Sequence, residues 1–225
     1  MGKFSKQHII DELVAVPLVP LIAHEDPNDC FHVVKSCYEA GIRVFEYTNR
    51  TKNAWEVFEH LHRKREFYPE LKLGVGTVLD AQTAKKFISA GADFIVSPIL
   101  NLQIGDVCHE HSTMWIPGCA TLTEIVTAQQ NGADVIKVFP GSVLGPAFLQ
   151  AILPVVPSLR LMVTGGIENT EESFSTWFKA GAMCLGLGSQ VLKKDMIAAR
   201  QWESVKNEIN RAVALAQRCR VNKHD

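Results

Sequence analysis

The 225-residue chain is 47% hydrophobic and 21% charged, the balance of a packed globular domain and not of a disordered tail or a charged scaffold. Its 23 Lys and Arg against 24 Asp and Glu leave a net charge of −1, which gives no global electrostatic case for nucleic acid or an anionic membrane. Any anion the chain binds must therefore be held by a local site.

The chain begins MGKFSKQHIIDEL, with no apolar core of a signal peptide. Over residues 5–14, helical spacing puts Ile9, Ile10, Leu13 and Val14 on one side, suited to closing the bottom of a barrel. A strand is expected over Val16–Ile22, and then a phrase begins to recur. Ala40-Gly41-Ile42 precedes Val44-Phe45-Glu46, and Ala90-Gly91-Ala92 precedes Phe94-Ile95-Val96. Asn131-Gly132-Ala133 precedes Val135-Ile136-Lys137, and Ala180-Gly181-Ala182 precedes Met183-Cys184-Leu185. Each reads as a helix ending on a left-handed glycine cap, followed at once by a short apolar strand.

These glycines, at 41, 91, 132 and 181, are 50, 41 and 49 residues apart. One strand-helix unit takes about 20 to 30 residues, so each interval should hold two. The additional strands are expected at Leu73–Thr77, Thr113–Pro117 and Leu161–Thr164. Each is followed by a helix start: Asp80, Thr121 with Glu124, and Asn169 with Glu172, the last two at capping-box spacing. Eight alternating strands and helices predict a single (β/α)8 barrel domain over residues 1–225, with an open doubly wound sheet as the competing arrangement. At the far end Trp202, Val205, Ile209, Ala212, Val213 and Ala216 mark a packing helix. Apolar runs are broken before ~18 residues, so no membrane span is expected. The six cysteines at 30, 37, 108, 119, 184 and 219 form no CxxC pair; they read as core fillers in a protein of the reducing cytoplasm.

Lys137 is the most unusual residue. Alternation along Val135-Ile136-Lys137-Val138-Phe139-Pro140 puts Val135, Lys137 and Phe139 on one face, and neither face of a barrel strand is wet. Desolvation disfavours an ammonium and makes a neutral amine available as a nucleophile, as Schiff-base chemistry on a carbonyl requires. A structural ion pair is the alternative. Glu46 ends another apolar strand, where a carboxylate can pair with the lysine or move protons for it. Arg50 lies just past that strand end, where barrel enzymes carry active-site loops, and its planar guanidinium suits a carboxylate or phosphate. Val163-Thr164-Gly165-Gly166-Ile167 and Leu185-Gly186-Leu187-Gly188-Ser189 fall at the seventh and eighth strands. Bare backbone N–H groups there, with the Ser189 hydroxyl, suit a phosphate cradle, the alternative being turns that need Gly for their own geometry. His60-x-His62 and His109-x-His111 sit in polar helical stretches without carboxylate partners and read as solvated faces, not metal ligands.

With these residues in place, the chain resembles the KDPG/KHG aldolase family, class I aldolases of 2-keto-3-deoxy-6-phosphogluconate (KDPG) and 4-hydroxy-2-oxoglutarate (KHG). The likeness runs through Pro17-Leu18-Val19-Pro20-Leu21-Ile22, Phe45-Glu46-Tyr47-Thr48-Asn49-Arg50-Thr51 and Gly74-Val75-Gly76-Thr77-Val78-Leu79. It continues through Val96-Ser97-Pro98, Ile116-Pro117-Gly118 and Lys137-Val138-Phe139-Pro140. The resemblance implies that Lys137 forms the Schiff base and that Glu46 is the general acid and base. It implies that Arg50 and Thr77 bind the pyruvate carboxylate, that Pro98 and Phe139 line that pocket, and that Thr164, Gly165, Gly166, Gly188 and Ser189 hold phosphate. It further implies a homotrimer that needs no metal or organic cofactor, with a keto sugar acid phosphate and pyruvate as its small-molecule partners. The chain departs from the family at Asn49, Ile99, Val163 and Leu187-Gly188-Ser189-Gln190, which bears on substrate choice more than on reaction type. A phosphosugar isomerase, epimerase or synthase, with Glu46 as base, and a non-catalytic sugar-phosphate binder are the other classes that such a barrel admits.

Overall fold

The computed structural model describes residues 4–221; of the expected domain, residues 1–3 and 222–225 lie outside that range. Helix α1 (Lys6–Ala15) is followed by β1 (Leu18–Ile22), α2 (Pro27–Glu39), β2 (Val44–Thr48), α3 (Ala54–Arg63), β3 (Lys72–Gly76), α4 (Ala81–Ser89) and β4 (Phe94–Val96). Then come α5 (Leu102–Glu110), β5 (Met114–Ile116), β6 (Gly118–Cys119), α6 (Leu122–Gln130), β7 (Ile136–Val138) and α7 (Gly141–Ile152), which is kinked at Gly145 and Pro146. The chain ends with β8 (Leu161–Thr164), α8 (Glu171–Lys179), β9 (Cys184–Leu187), the short α9 (Lys194–Ala198) and α10 (Trp202–Val221).

All strand pairs are parallel, in the order β5-β4-β3-β2-β1-β9-β8-β7-β6. The two ends of that order are adjacent in the chain, so β5 and β6 are halves of one strand and the sheet closes into the expected eight-stranded barrel. The break falls at Pro117, which has no N–H for the ladder. Its neighbours divide accordingly: the Ile116 carbonyl accepts from Ser97 N after β4, and the Pro117 carbonyl accepts from Lys137 N on β7. The sequence reading had this as one strand, Thr113–Pro117.

Gly41, Gly91, Gly132 and Gly181, the recurring caps, have φ between +81° and +108°, the left-handed conformation that ends a helix at least cost. The capping box at Thr121 and Glu124 forms as expected, but the one expected at Asn169 and Glu172 does not. Thr170 caps α8 instead, its hydroxyl accepting from Ser173 N.

Alternation sorts the side chains. Phe45, Tyr47, Leu73, Val75, Ile95, Trp115, Ile136 and Val138 pack outward with the helices in the main core. Val19, Val44, Phe94, Met114, Val135, Met162 and Cys184, at or near the N-terminal ends of their strands, form a second cluster with Ile9, Ile10 and Leu13 of α1. This is the expected plug at the barrel bottom, except that Val14 is half exposed. Lys72, also at the bottom, is buried and donates to Glu12 of α1 at 2.6 Å. Among the described residues no helix is long and apolar enough to cross a membrane. All six cysteines are buried, and burial pushes the thiols of Cys30, Cys108, Cys119 and Cys184 up to about 12. That removes them as nucleophiles at neutral pH.

Replacing Thr121 by Ala should cost about 1 kcal/mol. The Glu124 carboxyl is held below its ordinary value of 4.5, chiefly by the Ala120 N–H, so its contribution is present above that value and lost as pH falls through the lower folded one. Urea unfolding should therefore show Glu124→Gln less stable than the parent at neutral pH, with the gap closing below pH 4.5.

Candidate active site

Val44 and Val135 belong to the bottom plug, so the residues two further along β2 and β7, Glu46 and Lys137, face the barrel interior one layer higher. Both are buried, at 1% and 3% exposure. The Lys137 Nζ lies 5.1 Å from the centroid of the Phe139 ring. Glu46 Oε2 has no hydrogen-bond partner, and the Glu46–Lys137 ion pair that a purely structural role would require is not formed among the described residues. Two buried hydroxyls facing the same interior, Thr48 Oγ1 and Thr164 Oγ1, are likewise unpartnered. Each such group costs about 1–3 kcal/mol, and these three stand together on the upper interior positions of their strands.

Two glycines make room for these groups. A Cβ on Gly76 would overlap the Glu46 carboxylate. A Cβ on Gly118, the register partner of Lys137, would overlap the Pro98 carbonyl. Pro98 thus packs on the strand beside the lysine.

At the mouth, Asn49 N bonds the Gly76 carbonyl at 2.9 Å and ties the end of β2 to β3. Arg50 follows, exposed, its Nε donating to Thr77 Oγ1 at 3.2 Å. Thr77 itself has φ 59°, a left-handed backbone that costs a β-branched residue about 1 kcal/mol or more. The hydrogen bond sets a guanidinium and a hydroxyl side by side at the strand ends.

Above them opens a cavity of about 820 Å³. Of the residues singled out in the sequence, Arg50, Phe139, Thr164, Gly165, Gly166, Gly188 and Ser189 line it. Lys137, Glu46, Thr77 and Pro98 lie off its walls; Lys137 adjoins it through the Phe139 ring and Thr77 through Arg50. Gly165 and Gly166 have φ of 91° and 71°, and a Cβ on Gly166 would come within 2.5 Å of Ser142 Cα. Among the described residues lining the cavity there is no Asp or Glu, whereas Arg50 and Lys194 both line it. The cavity is therefore a local well for anions in a chain of net charge −1.

His24 and Lys194 were missed in the sequence. Lys194 had a signal, since it opens a short helix after the second glycine stretch; His24 had only its place just past a strand end. Among the departures from the family pattern, Leu187, Gly188, Ser189 and Gln190 line the cavity. Val163 packs outward among the helices, and Ile99 is exposed. The histidines read as solvated faces are in part covered: His60, His62 and His111 are half-buried, and His109 is exposed. No cluster of metal-ligating side chains occurs among the described residues.

The family model for KDPG and KHG aldolase matches residues 9–208. A 2-dehydro-3-deoxy-phosphogluconate aldolase of Treponema pallidum is 34% identical over 71% of this chain and 75% of its own. A 2-dehydro-3-deoxy-6-phosphogalactonate aldolase of Escherichia coli is 29% identical over 79% of this chain and 85% of its own. Among solved structures, KDPG aldolase from Legionella pneumophila, with pyruvate captured as a covalent carbinolamine intermediate, superposes with a TM-score of 0.81. It is 26% identical and covers 91% of this chain and 97% of its own.

The two close-approach glycines should respond differently to a methyl group. Gly118→Ala meets backbone, which cannot step aside, and should cost about 2–4 kcal/mol in urea unfolding. Gly76→Ala meets a side chain and should cost less, its main effect being to displace the Glu46 carboxylate.

Proposed function

The chain belongs to the KDPG and KHG aldolase family and is a lyase, and from that premise we propose that it is a Schiff-base aldolase releasing pyruvate from a phosphorylated 2-keto-3-deoxy sugar acid. The preferred substrate in this reading is KDPG, with KHG, which yields pyruvate and glyoxylate, as a further one. One observation carries the reading: a buried lysine and a buried carboxylate, each free of the other, lie beneath a cavity that is lined by cations and bare glycine backbone.

Arg50 and Thr77 take the substrate carboxylate, and Gly165, Gly166, Gly188 and Ser189, with Thr164 beside them, take the phosphate. Phe139 and Pro98 wall the pyruvate end. Holding both ends fixes the bond to be cut over Lys137. The neutral Lys137 amine adds to the C2 ketone, and Glu46, through a water, supplies and removes the protons as the carbinolamine loses water. The protonated imine then draws the electron pair of the C3–C4 bond, which breaks as Glu46 takes the C4 hydroxyl proton. Glyceraldehyde 3-phosphate leaves, the enamine takes a proton at C3, and hydrolysis returns pyruvate and the free amine. No metal or organic cofactor enters these steps.

The name of the Escherichia coli relative supports a second substrate, the phosphogalactonate epimer; the two differ at C4, the carbon whose hydroxyl meets Glu46. We read the assembly as a cytoplasmic homotrimer on family likeness.

Borohydride reduction in the presence of pyruvate should add a pyruvate-sized mass to the Lys137 peptide. Lys137→Met should abolish both the adduct and pyruvate release while the far-ultraviolet circular dichroism is unchanged. A coupled pyruvate assay over a panel of 2-keto-3-deoxy acids ranks the substrates. An unmodified Lys137 peptide, or pyruvate release that survives borohydride treatment with substrate, removes this mechanism in favour of Glu46 acting alone as base.

A further inference from the structure

His24 stands on the cavity wall, in the turn between β1 and α2, and three contacts hold it there. Its carbonyl accepts from the Tyr47 hydroxyl at 3.1 Å and from Cys30 Sγ at 3.6 Å. Its Nδ1 accepts from the backbone N–H of Asp26 at 3.2 Å. Asp26 is in turn fixed as the N-cap of α2, accepting from Asn28 N and Asp29 N. A ring whose Nδ1 accepts a hydrogen bond carries its proton on Nε2. The turn therefore presents one oriented donor, Nε2–H, that no described residue engages.

Topology says what passes that donor. In the sheet β1 lies between β2 and β9, so the turn after β1 sits between Arg50, which follows β2, and Gly188 and Ser189, which follow β9. A substrate stretched from the arginine to the glycine loops must run past it. With the carboxylate at Arg50, the ketone at Lys137 and the C4 hydroxyl at Glu46, the polar group left at this height is the hydroxyl on the carbon beside the phosphate. In the reading above Ser189 and the backbone N–H groups serve the phosphate, and Lys194 lines the same wall.

We propose that His24 is a specificity-determining residue whose Nε2–H donates to that hydroxyl and so selects the configuration of the phosphate-bearing aldehyde; the proposal rests on the aldolase reading above. Because the turn is braced by Tyr47, Cys30 and Asp26, the donor keeps its position, and the wrong enantiomer leaves it unpaired. A site built to pair with a hydroxyl discriminates strongly against a ligand that does not offer one.

The test runs in the direction of synthesis, with pyruvate and either D- or L-glyceraldehyde 3-phosphate as substrates for the full chain. His24→Asn keeps an acceptor near the Nδ1 position for Asp26 N but lacks the reach of Nε2, whereas His24→Gln places an amide N–H near the Nε2 position. The parent should favour one enantiomer by about tenfold or more in kcat/KM. His24→Asn should lose about 10- to 100-fold for that enantiomer and bring the two within about threefold, while His24→Gln keeps most of the preference. Melting temperature and borohydride capture of pyruvate at Lys137 should be unchanged in both. A parent that does not discriminate, an Asn variant that keeps the ratio, or a variant that loses pyruvate capture together with both enantiomers overturns the role of His24. Failure of capture in the parent removes the aldolase reading and this one with it, whereas capture with an unaltered ratio removes this one alone.

Discussion

An amine held in the barrel interior without a counter-charge is the constraint to which the rest of this structure answers. The fold contains its own control. Lys72 is as buried as Lys137 and also sits on the interior side of a strand, but it donates to Glu12 at 2.6 Å. Asp93, buried with no side-chain exposure, is likewise paired with Arg65. Stability alone thus gives a buried charge its partner, because leaving one unpaired costs several kcal/mol. Glu46 lies in the same interior as Lys137 but is not bonded to it, and its Oε2 is left with nothing to accept from. A carboxylate closed onto the amine would be more stable and would also tie up both groups. Folding tolerates the open arrangement because the apolar plug beneath and the helix-facing core around it carry the packing.

The plug and the reactive layer are one device. Two residues along a strand are about 6.6 Å, so moving from Val44 to Glu46, or from Val135 to Lys137, changes the chemistry of the interior from dry hydrocarbon to ionisable groups within one layer. The remaining polar features stand at strand ends above that layer. Arg50 and Thr77 are coupled across the β2 and β3 ends by one hydrogen bond, and the left-handed backbone at Thr77 shows that this geometry is held against local preference.

Much of this was legible in the sequence, for reasons that differ by residue. The caps at Gly41, Gly91, Gly132 and Gly181 were readable because a left-handed residue before an apolar run has few other meanings, and they set the strand count. Lys137 and Glu46 stood out because charge on a buried strand breaks the pattern of its neighbours. The split at Pro117 was not read because it depends on which strands flank it, a matter of closure and not of local spacing. The cap of α8 went to Thr170 and not Asn169 because both residues are competent caps, and only the path of the chain decides between them. His24 was invisible for a sharper reason. A histidine past a strand end has no distinguishing spacing, and its significance comes from Tyr47, Cys30 and Asp26, which hold it from three different positions in the chain.

The departures from the family pattern follow the same division. Val163 replaces a proline on the outward face of β8, where it packs among helices, so it bears on the seating of α7 and not on ligand. Gln190 lies on the cavity wall beside Gly188 and Ser189, where a change alters what the distal end of a substrate meets. In the proposed reaction, bond breaking depends on interior strand positions that cannot vary without disturbing the barrel. In the same reading, selection depends on side chains of the turns after β1 and β9 that line the cavity and can change without disturbing the strands. On the proposed mechanism, a barrel built this way can change the aldehyde it releases while keeping the means by which it holds pyruvate. In that reading the anion well does the common work: cations and glycine backbone without an opposing carboxylate suit a molecule charged at both ends. Such a molecule, held at both ends, would lie with its middle across the amine and its hydroxyls toward the turns.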